Sequence, residues 1–230
     1  MQTHFQIRNV KFDVFSNGVD DERKVFVPMS PEFFTEECRW LTIGIGGRAG
    51  AEQFMREKYP NCEVYGVDAT NPGNFSKIGN VLQSKVGIDD ENEQIIGDKK
   101  VKIISFLRVL DEFVHSRLIH YLSIDIESYE MVILRELIGN GKFVNENITF
   151  CQIDVELHDP KSEGQHPATV DINRVQWMLD FIAEPSPYMP IFTVSYIRHH
   201  KVTFVNVKNS ECEKAFKIRS YFNKPGEIEA

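Results

Sequence analysis

Three acids fall within six residues in Asp125-Ile-Glu127-Ser-Tyr-Glu130, at the end of an apolar run. Alternate residues of a strand point the same way, so Asp125 and Glu127 share a face. Glu130, in the first turn of a following helix, reaches the same cleft. Like charges held close raise one another's pKa, so a cleft built this way takes up a cation, an ammonium group or a proton. A second constellation lies upstream, where Trp40 to Gly50 read WLTIGIGGRAG. Gly44, Gly46 and Gly47 allow a tight turn with no side chain between main chain and ligand. Asp68, closing the next strand pattern, can accept hydrogen bonds from ribose hydroxyls. The two together read as a nucleoside-cofactor cradle, although Gly44-x-Gly46-x-x-Ala49 equally satisfies a dinucleotide fingerprint.

Positioning these groups requires strands alternating with helices. The pattern predicts strands over 41–45, 63–67, 101–106, 121–127 and 148–158, and helices over about 49–58, 110–118, 131–137 and 170–182. Val175, Met178, Leu179 and Ile182 fall on one face of the last helix. A turn is expected at Asn71-Pro72-Gly73, a helical stretch toward Asn80, and an exposed polar loop over 89–100. Such alternation predicts an α/β fold with a mostly parallel sheet, whose ligands bind at the carboxyl ends of the strands. The segment 191–207 reads instead as an antiparallel hairpin turning at Arg198 to Lys201, which puts His199 and His200 at an exposed tip. Residues 1–40 form a lead-in, read as a cap over the cofactor mouth or an arm packed on the sheet edge.

At 230 residues the chain suits one α/β domain, and its net charge of −8 gives no electrostatic reason to bind nucleic acid. No apolar run is long enough to span a membrane and the first residues lack a secretory signal's apolar core, so the chain as given reads as soluble, with a cytoplasmic location favoured. Cys38, Cys62, Cys151 and Cys212 are far apart without a CxxC pair, and free structural thiols are expected. No metal site is assigned.

The acidic run resembles the hallmark of the FkbM-type family of S-adenosylmethionine-dependent methyltransferases, an aspartate-x-glutamate-glycine-x-glutamate run followed by an apolar helix. Segments 84–90, 106–114 and 151–158 resemble the family's neighbouring strands and helix start. The resemblance implies a Rossmann-like methyltransferase fold over 41–210, with a tail at 211–230. It also implies S-adenosylmethionine as cofactor and methylation of a small-molecule or sugar hydroxyl. On that reading Gly44, Gly46 and Gly47 pass beneath the cofactor, Asp68 takes its ribose, Val86 and Gly87 border the adenine, and Asp125 holds the methionine moiety. Glu127, Glu130, Glu156 and His158 line the acceptor side, with His158 as general base. Two positions depart from the family: Thr42 stands where an aspartate is common, and Ser128 replaces the motif glycine. Three other readings fit parts of the sequence: a degenerate fold that binds without turnover, an NAD(P)-dependent dehydrogenase, and a metal-dependent hydrolase built on Asp125, Glu127, Asp154 and Glu156.

Overall fold

The runs that read as strands are apolar on both faces, the pattern of a sheet covered from two sides. In the computed structural model, which describes residues 11–18, 23–89, 91–96, 99–161, 166–183, 185–196 and 198–222, they form one seven-stranded sheet. From one edge its order is β5 (Asn80–Gln83), β4 (Cys62–Asp68), β3 (Cys38–Ile43), β9 (Leu118–Ile124), β10 (Thr149–Leu157), β12 (His199–Asn206) and β11 (Tyr188–Tyr196). The first five run parallel, and β12 is antiparallel to both its neighbours. The chain steps outward from β3 to β5 and then returns to place β9 on the other side of β3. That reversal opens a crevice at the carboxyl ends of β3 and β9, where open α/β sheets bind ligands. This is the mostly parallel, Rossmann-like sheet with an antiparallel C-terminal hairpin that the sequence pattern implies.

The hairpin turns earlier than expected. Tyr196 pairs with His199, so His199 and His200 belong to β12 instead of standing at an exposed tip. The polar segment 89–100 is also not a plain loop. β7 (Glu91–Ile96) pairs antiparallel with β8 (Lys99–Ser105), and β8 pairs parallel with β6 (Lys85–Gly87) to make a small second sheet. The helical stretch toward Asn80 contracts to a 3-10 turn, Phe75–Lys77.

One face of the large sheet is covered by α2 (Phe106–Arg108, continuing as a π-helical turn over Val109–Val114), α3 (Glu130–Arg135), α4 (Lys142–Asn145) and α5 (Arg174–Ile182). Phe106, Leu110, Ile133, Leu134, Phe143, Trp177 and Phe181 fill that core. The face of α5 differs from the one expected: Trp177 and Phe181 are buried, whereas Val175 and Leu179 are exposed. An aromatic pair stacked at 5.0 Å outweighs the aliphatic stripe because each ring buries more area.

The other face carries α1 (Gly50–Lys58), α6 (Ser210–Phe216) and a hairpin of β1 (Asp13–Ser16) with β2 (Arg23–Phe26). The described part of the lead-in lies across the sheet's face, not at its edge. Sheet side chains satisfy its main chain: Gln152 bonds both the N–H and the carbonyl of Val27, Asp154 accepts from the Val25 N–H, and the Thr203 hydroxyl donates to the Val25 carbonyl. Beneath it, Trp40, Tyr121, Phe26 and Phe216 make an aromatic cluster.

The expectation of free thiols is overturned. Cys38 and Cys62 are disulfide-bonded across directly paired positions of β3 and β4, and Cys151 of β10 is bonded to Cys212 of α6. Separations of 24 and 61 residues hid both pairs, which only strand register and the docking of α6 bring together.

Candidate active site

β3 delivers the glycine turn to the crevice. Gly44 has φ +83, and a Cβ there would meet the carbonyl oxygen of Asp125 at 1.9 Å, so only glycine lets the ends of β3 and β9 close together. Gly46 has φ +62 and opens onto free space, where a ligand can approach the main chain unhindered. Asp125, whose main-chain carbonyl abuts Gly44, keeps its side chain half exposed.

Asp68 ends β4 with its carboxylate turned toward the main chain. Its Oδ2 accepts from the N–H groups of Ile45 and Gly46 at 2.8 and 3.0 Å, and its Oδ1 from those of Thr70 and Asn71 at 2.8 and 2.7 Å. Burial works to raise its pKa, but the four amides outweigh that and hold it below the usual carboxylate range. These contacts make Asp68 the staple that shapes the glycine turn, a role the sequence did not suggest. Val86 and Gly87 lie on β6, both buried, beside the large sheet at β4.

Across the crevice, the ends of β9 and β10 bring Asp125, Glu127, Glu130, Glu156 and His158 together. His158 stands at the centre. Its Nδ1 lies 3.0 Å from Glu130 Oε1 and 3.0 Å from the Glu156 carbonyl oxygen. Its Nε2 faces Asp125 Oδ1 at 3.5 Å, Glu127 Oε2 at 3.7 Å and Glu156 Oε1 at 4.0 Å. Burial pushes the imidazole pKa down, but the Glu130 hydrogen bond and the surrounding carboxylates push it further up, to about 9. A His158 held toward its charged form is a poorer proton acceptor than a free imidazole. Burial, and then Asp125, push the Glu156 carboxyl up to about 7. Glu130, expected on the acceptor side, is instead fully buried behind His158, where its Oε1 also accepts the His158 main-chain N–H. Glu127 is the open member, with a side chain 72% exposed.

His199 is the residue that sequence reasoning missed. Its ring packs 4.5 Å from that of His158, and its Nδ1 accepts the Asp159 N–H at 3.2 Å. No local signal marks it, because its neighbourhood depends on the register of β12 against β10.

Both departures from the family pattern are accommodated. Ser128 does adopt a positive φ, +75, following Glu127 at +54. Its buried hydroxyl shares a 2.6 Å hydrogen bond with Thr169 Oγ1 and accepts the His166 N–H at 3.0 Å, ties that glycine could not make. Thr42 donates to Glu52 Oε1 at 2.7 Å. α1 thus returns a carboxylate to that place, but Glu52 is fully buried and ion-paired with Lys24 of β2, closed off from the crevice.

A seven-stranded sheet in this order, with a glycine turn after β3 and acids after β9, defines the class of Rossmann-like methyltransferases. Within it the chain belongs to the Methyltransferase FkbM domain family, whose model matches residues 13–189. No curated protein matches significantly. Among solved structures, the human methyltransferase 10 domain containing protein aligns at 8% identity and TM-score 0.41, over 76% of this chain and 74% of its own. A SAM dependent methyltransferase from Aquifex aeolicus aligns at 13% identity and TM-score 0.34, over 76% and 85%. A 16S rRNA (adenine(1408)-N(1))-methyltransferase from Catenulisporales acidiphilia aligns at 11% and 0.36, over 86% and 98%. Scores this low carry no residue roles across. Among the described residues no helix is long and apolar enough to cross a membrane.

Proposed function

We propose that the chain transfers a methyl group from S-adenosylmethionine to a hydroxyl of a small-molecule or sugar acceptor, with 41–210 as the catalytic unit. The observation that carries this reading is the meeting of an open glycine turn and an acid cluster at one crevice. The cofactor supplies an activated methyl on a sulfonium. Gly46 gives it main chain to lie on, Val86 and Gly87 stand on the adenine side, and Asp125 pairs with the methionine ammonium. The acceptor hydroxyl lies toward Glu127 and Glu156. When bound, the cofactor would supply that methyl to the acceptor oxygen, and a cleft carboxylate would take the hydroxyl proton. Glu127 is the most open of these. The enzyme's main contribution is alignment of the two reactants. A net charge of −8 favours such acceptors over a nucleic acid.

Calorimetric titration with S-adenosylmethionine, S-adenosylhomocysteine and NAD tests the cofactor before any acceptor is known. Binding of the first two at micromolar concentration, lost in Gly46→Val, is the expected result. NAD binding, or none at all, would overturn it. Radiolabelled methyl transfer to a panel of sugars and hydroxylated small molecules then tests the reaction, and cofactor binding with no transfer to any hydroxyl would point to a degenerate fold.

A further inference from the structure

Glu156, His158 and His199 each present a potential ligand atom, and these atoms lie within 4.8 Å of one another at the ends of β10 and β12. We propose that these three residues bind a divalent transition-metal cation at the acceptor edge, with Asp125 and Glu127 as the carboxylates next in reach.

The orientation of His158 is the first support. With Nδ1 committed to Glu130 and to the Glu156 carbonyl, Nε2 is the nitrogen that faces the cleft. A buried carboxylate holding the far side of an imidazole is the arrangement that fixes a metal-ligating histidine. Spacing is the second. The Nε2-to-oxygen distances of 3.5, 3.7 and 4.0 Å are too long for hydrogen bonds. Two ligands each about 2.1 Å from a tetrahedral ion lie about 3.4 Å apart, so these gaps are near the edges of a coordination shell that has yet to tighten. The third is Glu130 itself: fully buried beside the site, it keeps an Oε2 with no hydrogen-bond partner among the described residues.

His199 is the ligand that must give something up. Its Nδ1 takes the Asp159 amide at 3.2 Å, and ligation through either nitrogen breaks that bond, because a neutral ring bound through Nε2 carries its proton on Nδ1. Ligation by His158 likewise releases any proton on Nε2. Two imidazoles and a carboxylate suit manganese, iron, cobalt or zinc better than calcium or magnesium. Three protein ligands leave positions open. If the cleft is the acceptor site, a hydroxyl bound there would lose its proton more readily. That last step rests on the proposed function, whereas the cation site stands without it.

The test uses the untagged full chain, stripped with chelator and titrated by calorimetry with MnCl₂ and with ZnCl₂ in the absence of S-adenosylmethionine. The expected result is one cation per chain, with His199→Ala and Glu156→Gln each weakening binding by more than about tenfold while thermal melting shows both folded. No uptake by the folded chain, or uptake unchanged in both variants, would overturn the proposal. Should a variant fail to fold, pulsed EPR of the manganese-loaded native chain decides: nitrogen modulation from imidazole supports the site, and its absence sinks it. S-adenosylmethionine is titrated separately. Cofactor binding without cation binding removes this inference alone, and the converse removes the cofactor assignment alone.

Discussion

Ser128 holds a left-handed backbone that costs an L side chain about 1–2 kcal/mol. Its hydrogen bonds to Thr169 and His166 offset part of that cost. Ser128→Ala keeps the strain and loses the bonds, so it should lower stability by about 2 kcal/mol. Ser128→Gly relieves the strain as it loses them, and should lie within about 1 kcal/mol of the parent. Urea denaturation of both variants checks this: equal losses would show that the backbone strain contributes nothing, and an alanine variant as stable as the parent would show the same of the hydroxyl. Asp68 makes a similar contrast. A ribose contact alone predicts that Asp68→Ala loses cofactor and keeps its stability. The four amide bonds predict a loss of about 3 kcal/mol together with more than tenfold weaker binding, because the glycine turn loosens. Melting and calorimetry on the same preparation separate the two. Asp125, Glu127, Glu130 and His158 were legible because strand alternation and a short motif locate them. Glu52 and His199 were not, since their meaning comes from partners 10 and 41 residues away.

At the scale of elements, what the sequence revealed was type, and what it hid was pairing. Every parallel strand of the central sheet except the short edge strand β5 was visible as an apolar run, since burial on both faces leaves a continuous signal. The edges were harder. β7 has the composition of a loop and becomes a strand only by pairing with β8, and α5 turns its aromatic residues inward against the aliphatic stripe. The lead-in could not be placed because its polar anchors, Gln152, Asp154 and Thr203, belong to strands more than a hundred residues on. Those anchors yield a prediction. Gln152→Ala leaves the N–H and carbonyl of Val27 unpaired beneath the hairpin, at a cost of about 2–4 kcal/mol. Amide exchange should quicken at Val27 well before the central strands respond. Protection equal to the parent's would show that apolar packing alone holds the arm.

For the whole molecule, the two disulfides change the picture most. Closing loops of 24 and 61 residues stabilises the fold by between about 3 and 4.5 kcal/mol each in the chain-entropy account. Such bonds persist in oxidising compartments and are rare in the cytosol of mesophiles. Peptide mapping without reductant should recover Cys38 with Cys62 and Cys151 with Cys212, and reduction should lower the melting temperature by ten degrees or more, on the order expected for losses of this size. Recovery of four free thiols would refute the pairing.

Cys38 and Cys62 open their strands, and Cys151 lies near the start of its own, whereas Gly44, Asp125 and His158 follow the last residues of theirs and His199 opens antiparallel β12 at that same edge. The molecule is stapled along its floor and unfastened along its rim. A lineage carrying this frame can therefore rewrite the rim, trading one acceptor for another, without renegotiating how the chain folds.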